Sequence, residues 1–170
     1  VWERREAFLR LNPAGDVPVL LEQDGTIVPG DDVIAEYLEE VYPDPPLLGE
    51  DLEARIEIRR LVNWFDRKFA REVSRPLIEE KVVKRFSRAG YADSLAIRAA
   101  NHNIHHHLAY VTWLAERRNW LAGEQLSLAD FAAAAHLSCG DYLGHVPWDE
   151  HPVARDADAR TKQRPTMRSR

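Results

Sequence analysis

Phe8-Leu9-Arg10-Leu11-Asn12-Pro13-Ala14-Gly15-Asp16-Val17-Pro18-Val19-Leu20 is the stretch whose reading decides the fold. Phe8 and Leu11 share one face of a short helix expected over residues 3–11, and Asn12-Pro13 ends it, because the residue before a proline is pushed out of the helical region. Ala14-Gly15-Asp16 reads as a loop. Val17 to Leu21 then reads as a strand, with Pro18 at its start because proline has no N–H for a ladder. Thr26-Ile27-Val28 reads as its partner. Asp24-Gly25 between them predicts a type I′ hairpin, whose two central residues both need positive φ.

Outward from the hairpin, Pro29-Gly30 closes the second strand. Asp31 or Asp32 is expected to cap a helix carrying Val33, Ile34, Tyr37, Leu38 and Val41 on one stripe. Residues 42–50 hold three prolines and a glycine and read as an inter-domain linker. Beyond them the pattern turns helical. Ile58, Leu61, Val62, Phe65, Phe69 and Val73 follow a 3.6-residue period, which Ser74-Arg75-Pro76 is expected to perturb. A long helix is expected over 93–118, with one stripe of Leu95, Ala99, His102, His106, Tyr110 and Trp113 and another of Ile97, Ile104, Leu108 and Val111. Two apolar stripes place it centrally in a bundle. A further helix follows Ser127, with Phe131, Ala135, Cys139 and Tyr142 inward. Residues 153–163 offer little apolar surface, so docking of a last helix is not expected.

Composition narrows the class. The 170 residues are 45% hydrophobic and 30% charged, as in ordinary globular domains, and no apolar run approaches a membrane span. A net charge of −5 argues against a dedicated nucleic-acid binder. One cysteine excludes an intrachain disulfide and Cys-rich zinc modules, and no secretory signal is visible, so a reducing cytoplasm is the expected compartment. A lone hairpin is marginal in water. A β-α-β segment ahead of Val1 is therefore expected.

These ordered signals resemble the glutathione S-transferase family. The stretch from Phe8 to Leu20 resembles that family's approach to its cis-proline strand. Val33-Ile34 and Tyr37-Leu38 resemble the helix that follows, and Tyr42-Pro43 to Gly49 resembles its linker. Trp120-Leu121-Ala122-Gly123-Glu124 with Leu126-Ser127-Leu128-Ala129-Asp130 resembles its capping motif, and Arg164-Pro165 the end of its last common helix. The expected fold is α/β plus all-α. Residues 1–41 form an incomplete thioredoxin-like N-terminal domain, 42–50 a linker, and 51–170 an all-helical C-terminal domain.

The resemblance implies glutathione as co-substrate, held along Val17, Pro18, Gly30 and Asp31, with Val17 offering its main chain to the extended tripeptide. From the residues alone the bond before Pro18 is expected to be trans; the resemblance implies cis. It also implies a homodimer, and an electrophile pocket walled by Trp64 and Arg67. Two departures stand out. The family places an acid or amide and then a serine where Gly30 and Asp31 stand, to grip the γ-glutamyl ammonium and carboxylate. Gly30 brings no ligand, and Asp31 brings a like charge worth roughly 4 kcal/mol of repulsion at 4 Å and an effective dielectric of 20. The activating Ser, Tyr or Cys of the family is expected ahead of Val1, so the catalytic residue is unknown here.

Trp2-Glu3-Arg4-Arg5-Glu6, Leu114 to Arg118 and Tyr142 to Asp149 resemble transferase-like proteins of bacterial cell division that bind the tubulin-like polymer FtsZ. That resemblance implies a non-catalytic interaction protein. Trp2, Arg4 and Arg5 are candidates for an aromatic-basic contact patch, and the six Lys or Arg against two Asp in residues 155–170 for a basic tail. His102, His105, His106 and His107 invite a metal reading, and His102 and His106, at i and i+4, share a helix face, but no nearby carboxylate or cysteine completes a zinc set, so no metal site is expected. Ser127 and Asp130 form a capping box, a folding device without chemistry.

Overall fold

The computed structural model describes residues 5–164. Trp2 and Arg4 of the expected patch, Pro165 and the end of the basic tail lie outside the described residues. The chain divides into two compact units, Val1–Leu48 and Gly49–Arg170.

In the first unit, α1 (Glu6–Leu11) leads through a tight loop to β1 (Val19–Leu21), β2 (Ile27–Pro29) and α2 (Asp31–Val41). The two strands pair antiparallel, with Val19 opposite Pro29, Leu20 opposite Val28 and Leu21 opposite Ile27, and α2 packs on both. The turn is not the expected type I′. Only Gly25 has positive φ, at 93°. Gly25 N–H donates to Glu22 C=O (3.0 Å) and Glu22 N–H to Thr26 C=O (2.9 Å). This is a three-residue loop ending in a left-handed glycine. Asp24 Oδ1 accepts from Thr26 N–H (2.9 Å), fixing the turn from its side chain. The segment after α2 is anchored at its end: the Glu39 carboxylate accepts from Leu47 N–H (2.9 Å) and Leu48 N–H (3.0 Å).

The second unit begins with α3 (Leu52–Asn63), capped by Asp51, whose side chain accepts from Ala54 N–H. The chain then stays helical as far as Ser87. A π-helical segment over Trp64–Ser74 passes into α4 (Arg75–Ile78), a second π-helical segment over Glu79–Val83, and α5 (Lys84–Ser87). The perturbation expected at Ser74-Arg75-Pro76 is a change from π-helical to α-helical winding at Arg75, without a break in the helix. Pro76 cannot serve the carbonyl four residues back, and Asn103 Nδ2 donates to it instead, at Glu72 O (3.3 Å).

α6 (Ser94–Ala115) is capped by Asp93 and buries one face: Ala100, Ile104, His107, Leu108, Val111 and Leu114. The stripe from Leu95 to Trp113 is not a second core face; Leu95 is 67% exposed and Trp113 46%. α7 (Leu128–Tyr142) is likewise turned from the expected register. Ala129, Ala133, Ala134, Leu137 and Gly140 face inward, while Cys139 is exposed and Tyr142 is 91% exposed. Small residues dominate the inward face beside Leu137, and they permit close packing on the first π-helical segment. Cys139 is therefore not a core hydrophobe. After a 3₁₀ turn at Trp148–Glu150, α8 (Pro152–Lys162) does dock, on α6 and α7, through Ala154, Asp158 and Thr161 at i, i+4 and i+7. A short small-residue stripe suffices where helices approach closely.

Candidate functional site

In the first unit the implied glutathione contacts converge. Asn12 is buried and shapes the approach: its Nδ2 donates to Asp16 O (2.7 Å) and its Oδ1 accepts from Ala14 N–H (3.1 Å). The chain emerges at Val17, which is 79% exposed and precedes a cis bond to Pro18. Among the described residues the Val17 main chain makes no backbone hydrogen bond. Pro18 C=O accepts from Gly30 N–H (3.0 Å), and that bond brings the dipeptide beside the start of α2.

Gly30 is the N-cap residue of α2, at φ 95° and ψ 140°, and no side chain caps the helix. The expected capping by Asp31 or Asp32 is corrected accordingly. Both sit in the first turn, where their charge complements the helix dipole. A Cβ at position 30 would meet only Val33 Cγ2, at 3.9 Å, so conformation rather than space selects glycine there. Asp31 is exposed, so its repulsion of a ligand carboxylate falls from roughly 4 kcal/mol toward the bulk-water figure of about 1 kcal/mol. The site thus offers an open main-chain edge, no ammonium ligand at position 30, and two carboxylates.

Trp64 and Arg67 lie in the second unit, on the first π-helical segment. Arg67 is exposed. Trp64 is half-buried, with its ring 4.7 Å from Tyr110 and its Nε1–H donating to His107 Nδ1 (3.1 Å). Because indole only donates, His107 must carry its proton on Nε2, which donates to Glu72 Oε2 (3.1 Å). Glu72 also takes Lys68 Nζ at 2.6 Å and 2.8 Å. Burial pushes His107 down to about 4, against the opposing pull of Glu72. The Lys68 hydrogen bond holds Glu72 down at about 2. His107 has no exposed surface and both of its ring nitrogens are engaged, so the ring ties the first π-helical segment to α6.

Sequence reading missed Lys68, Glu72 and His107 as a group. A signal existed, since His107 falls in register with Ile104, Leu108, Val111 and Leu114 rather than on the outer stripe of His102 and His106. His102 and His106 are both exposed.

Asp130 anchors the capping motif. Its Oδ1 accepts from Leu121 N–H (2.9 Å), and its Oδ2 from Ser127 N–H (2.9 Å) and Ser127 Oγ–H (3.0 Å). Burial raises its pKa, opposed by those bonds. Glu57 is held down at about 2, chiefly by Arg60 and then by Arg118, which reaches it across 61 positions at 2.6 Å. Among the described residues no helix is long and apolar enough to cross a membrane.

Comparison with known proteins gives a consistent picture. A family model described as the N-terminal domain of glutathione S-transferase matches residues 1–41. The chain is 45% identical, over 98% of its length and 75% of the relative's, to FtsZ-localized protein A of Caulobacter vibrioides. It is 30% identical to a maleylacetoacetate isomerase of Pseudomonas aeruginosa, over 91% of this chain and 71% of that one. A crystal structure of a glutathione S-transferase from Rhodospirillum rubrum F11 superposes with a TM-score of 0.94 at 54% identity, covering 98% of this chain and 75% of that one.

Proposed function

Because the chain belongs to the glutathione S-transferase family, we propose that it is a non-catalytic member acting as an interaction protein on the FtsZ division polymer. The α/β segment followed by a helical domain is the family's fold. The observation that carries the reading is the start of α2. Gly30 supplies no group for an ammonium, its positive φ disfavours the side chains that would, and Asp31 and Asp32 place two carboxylates in the first turn of α2. Identity running along nearly the whole chain to a relative named for its FtsZ localization supports the partner. A cytoplasmic location is the corollary.

One observation favours a second reading, conjugation of the glutathione thiolate to small electrophiles. The exposed Val17 beside cis Pro18 keeps its main chain open for β-augmentation. Glutathione would then lie along Val17, Pro18, Gly30 and Asp31, and its thiolate would be the nucleophile.

Two measurements separate the readings. Calorimetric titration with glutathione, paired with turnover of an aryl halide, tests the enzyme. Recruitment of labelled protein to FtsZ filaments, viewed by microscopy, tests the interaction protein. Filament decoration without millimolar glutathione binding supports the proposal. Turnover without decoration overturns it.

A further inference from the structure

The histidine run of α6 is split by the helix rotation. His107 is sealed inside, and His102 and His106 face outward. His105 instead meets His151, the residue just before α8, with Nδ1 and Nε2 3.2 Å apart and the ring centroids 5.4 Å apart. Glu150 Oε2 lies 3.8 Å from the same His105 Nδ1. The His105 side chain is 43% exposed and that of Glu150 69%, so the pair is open to ions from solution.

Two neutral imidazoles in this position share one proton as a hydrogen bond. The same separation suits two lone pairs converging on one ion. Nitrogens about 2.05 Å from a tetrahedral zinc stand about 3.3 Å apart. Among the described residues no three His, Cys, Asp or Glu side chains are already gathered as a metal centre. Two donors are in place, and a rotation of Glu150 or a water must supply the rest.

We propose that His105 and His151 form a two-imidazole site for zinc, with Glu150 as the third ligand. His105 binds through Nδ1 and keeps its proton on Nε2; His151 binds through Nε2 and keeps its proton on Nδ1. Each ring turns a lone pair to the ion and carries its proton on the nitrogen facing away. Imidazole suits borderline ions such as zinc over calcium or magnesium. The bound ion would tie the middle of α6 to the start of α8.

The test is calorimetric titration of the protein with zinc chloride at pH 7.5, with cobalt(II) absorbance as a report on tetrahedral ligation. One equivalent is expected to bind. Losing even an outer-shell partner costs roughly 10–100-fold in metal affinity, so His105→Ala and His151→Ala should each weaken binding by about tenfold or more. The double variant His102→Ala/His106→Ala should bind like the parent. Circular dichroism checks each fold, and His105→Gln and His151→Gln replace any alanine variant that fails. The proposal is overturned if the parent binds no tighter than His105→Ala/His151→Ala, leaving a hydrogen bond only, or if the affinity follows His102 and His106.

Discussion

Asp130 and His107 in the helical unit and Val17 and Gly30 in the hairpin unit stand in opposite situations. In the helical unit, Asp130 and His107 are buried with partners on both sides. In the hairpin unit, the Val17 main chain stands open to solvent, and Gly30 brings no side chain to the start of α2. Buried polar groups must be satisfied or they cost stability, so full satisfaction marks a group as structural. An open edge on an otherwise ordered loop is where a partner can be gained. The histidine-rich helix looks like chemistry and the hairpin looks like scaffolding, yet the hydrogen bonds tie His107 into the packed interior and leave the main chain of Val17 open.

Substitutions break this comparison in graded steps. The largest effect is expected from Asp130→Ala, which removes the capping carboxylate and strands the Leu121 and Ser127 N–H groups. Its cost is roughly 3–5 kcal/mol, read from chemical unfolding midpoints. FtsZ binding by the fraction still folded should not change.

His107 gives the next effect through pH. Its pKa is about 6.5 unfolded and about 4 folded. The folded state therefore refuses a proton that the unfolded state accepts. Stability from this group is intact above pH 6.5 and is lost as pH falls toward 4, by about 3 kcal/mol in all. Chemical unfolding across that window should show the decline, and His107→Gln, though less stable at pH 7, should flatten it by up to one proton.

Gly30→Ala probes the hairpin unit. The added Cβ meets nothing closer than 3.9 Å, so only the positive φ resists it, at about 1–3 kcal/mol by thermal unfolding. Val17→Ala should be the mildest, below about 0.5 kcal/mol, because the side chain is 79% exposed. A large loss there would show that Val17 is structural and would blunt the contrast between the units.

Much of this architecture was legible in the chain. The hairpin, the helix after it, the Ser127-Asp130 box and the order of the helices follow from turn chemistry and apolar period. Rotations of helices did not. α7 carries so many small residues that its apolar period points to the large ones, whereas close packing chose Ala129, Ala133 and Gly140. How the helix runs on through Pro76 was hidden, because the donor that stands in for its missing N–H, Asn103, lies 31 positions from Glu72. The same distance problem hid the His105–His151 pair, 46 positions apart, and the Glu72–His107 pair, 35 apart. At Gly30 the chain showed an absent ligand, but only the backbone showed why glycine stands there: the cap of α2 requires a left-handed residue. The missing ligand and the helix start are one fact.

The central claim is that this protein engages FtsZ polymer without using glutathione. Its most direct test is equilibrium co-sedimentation with FtsZ filaments across a glutathione series reaching several millimolar. The account predicts saturable pelleting with the polymer, the same at every glutathione concentration. Protein left in the supernatant at saturating polymer, or pelleting that appears or vanishes as glutathione rises, would contradict it.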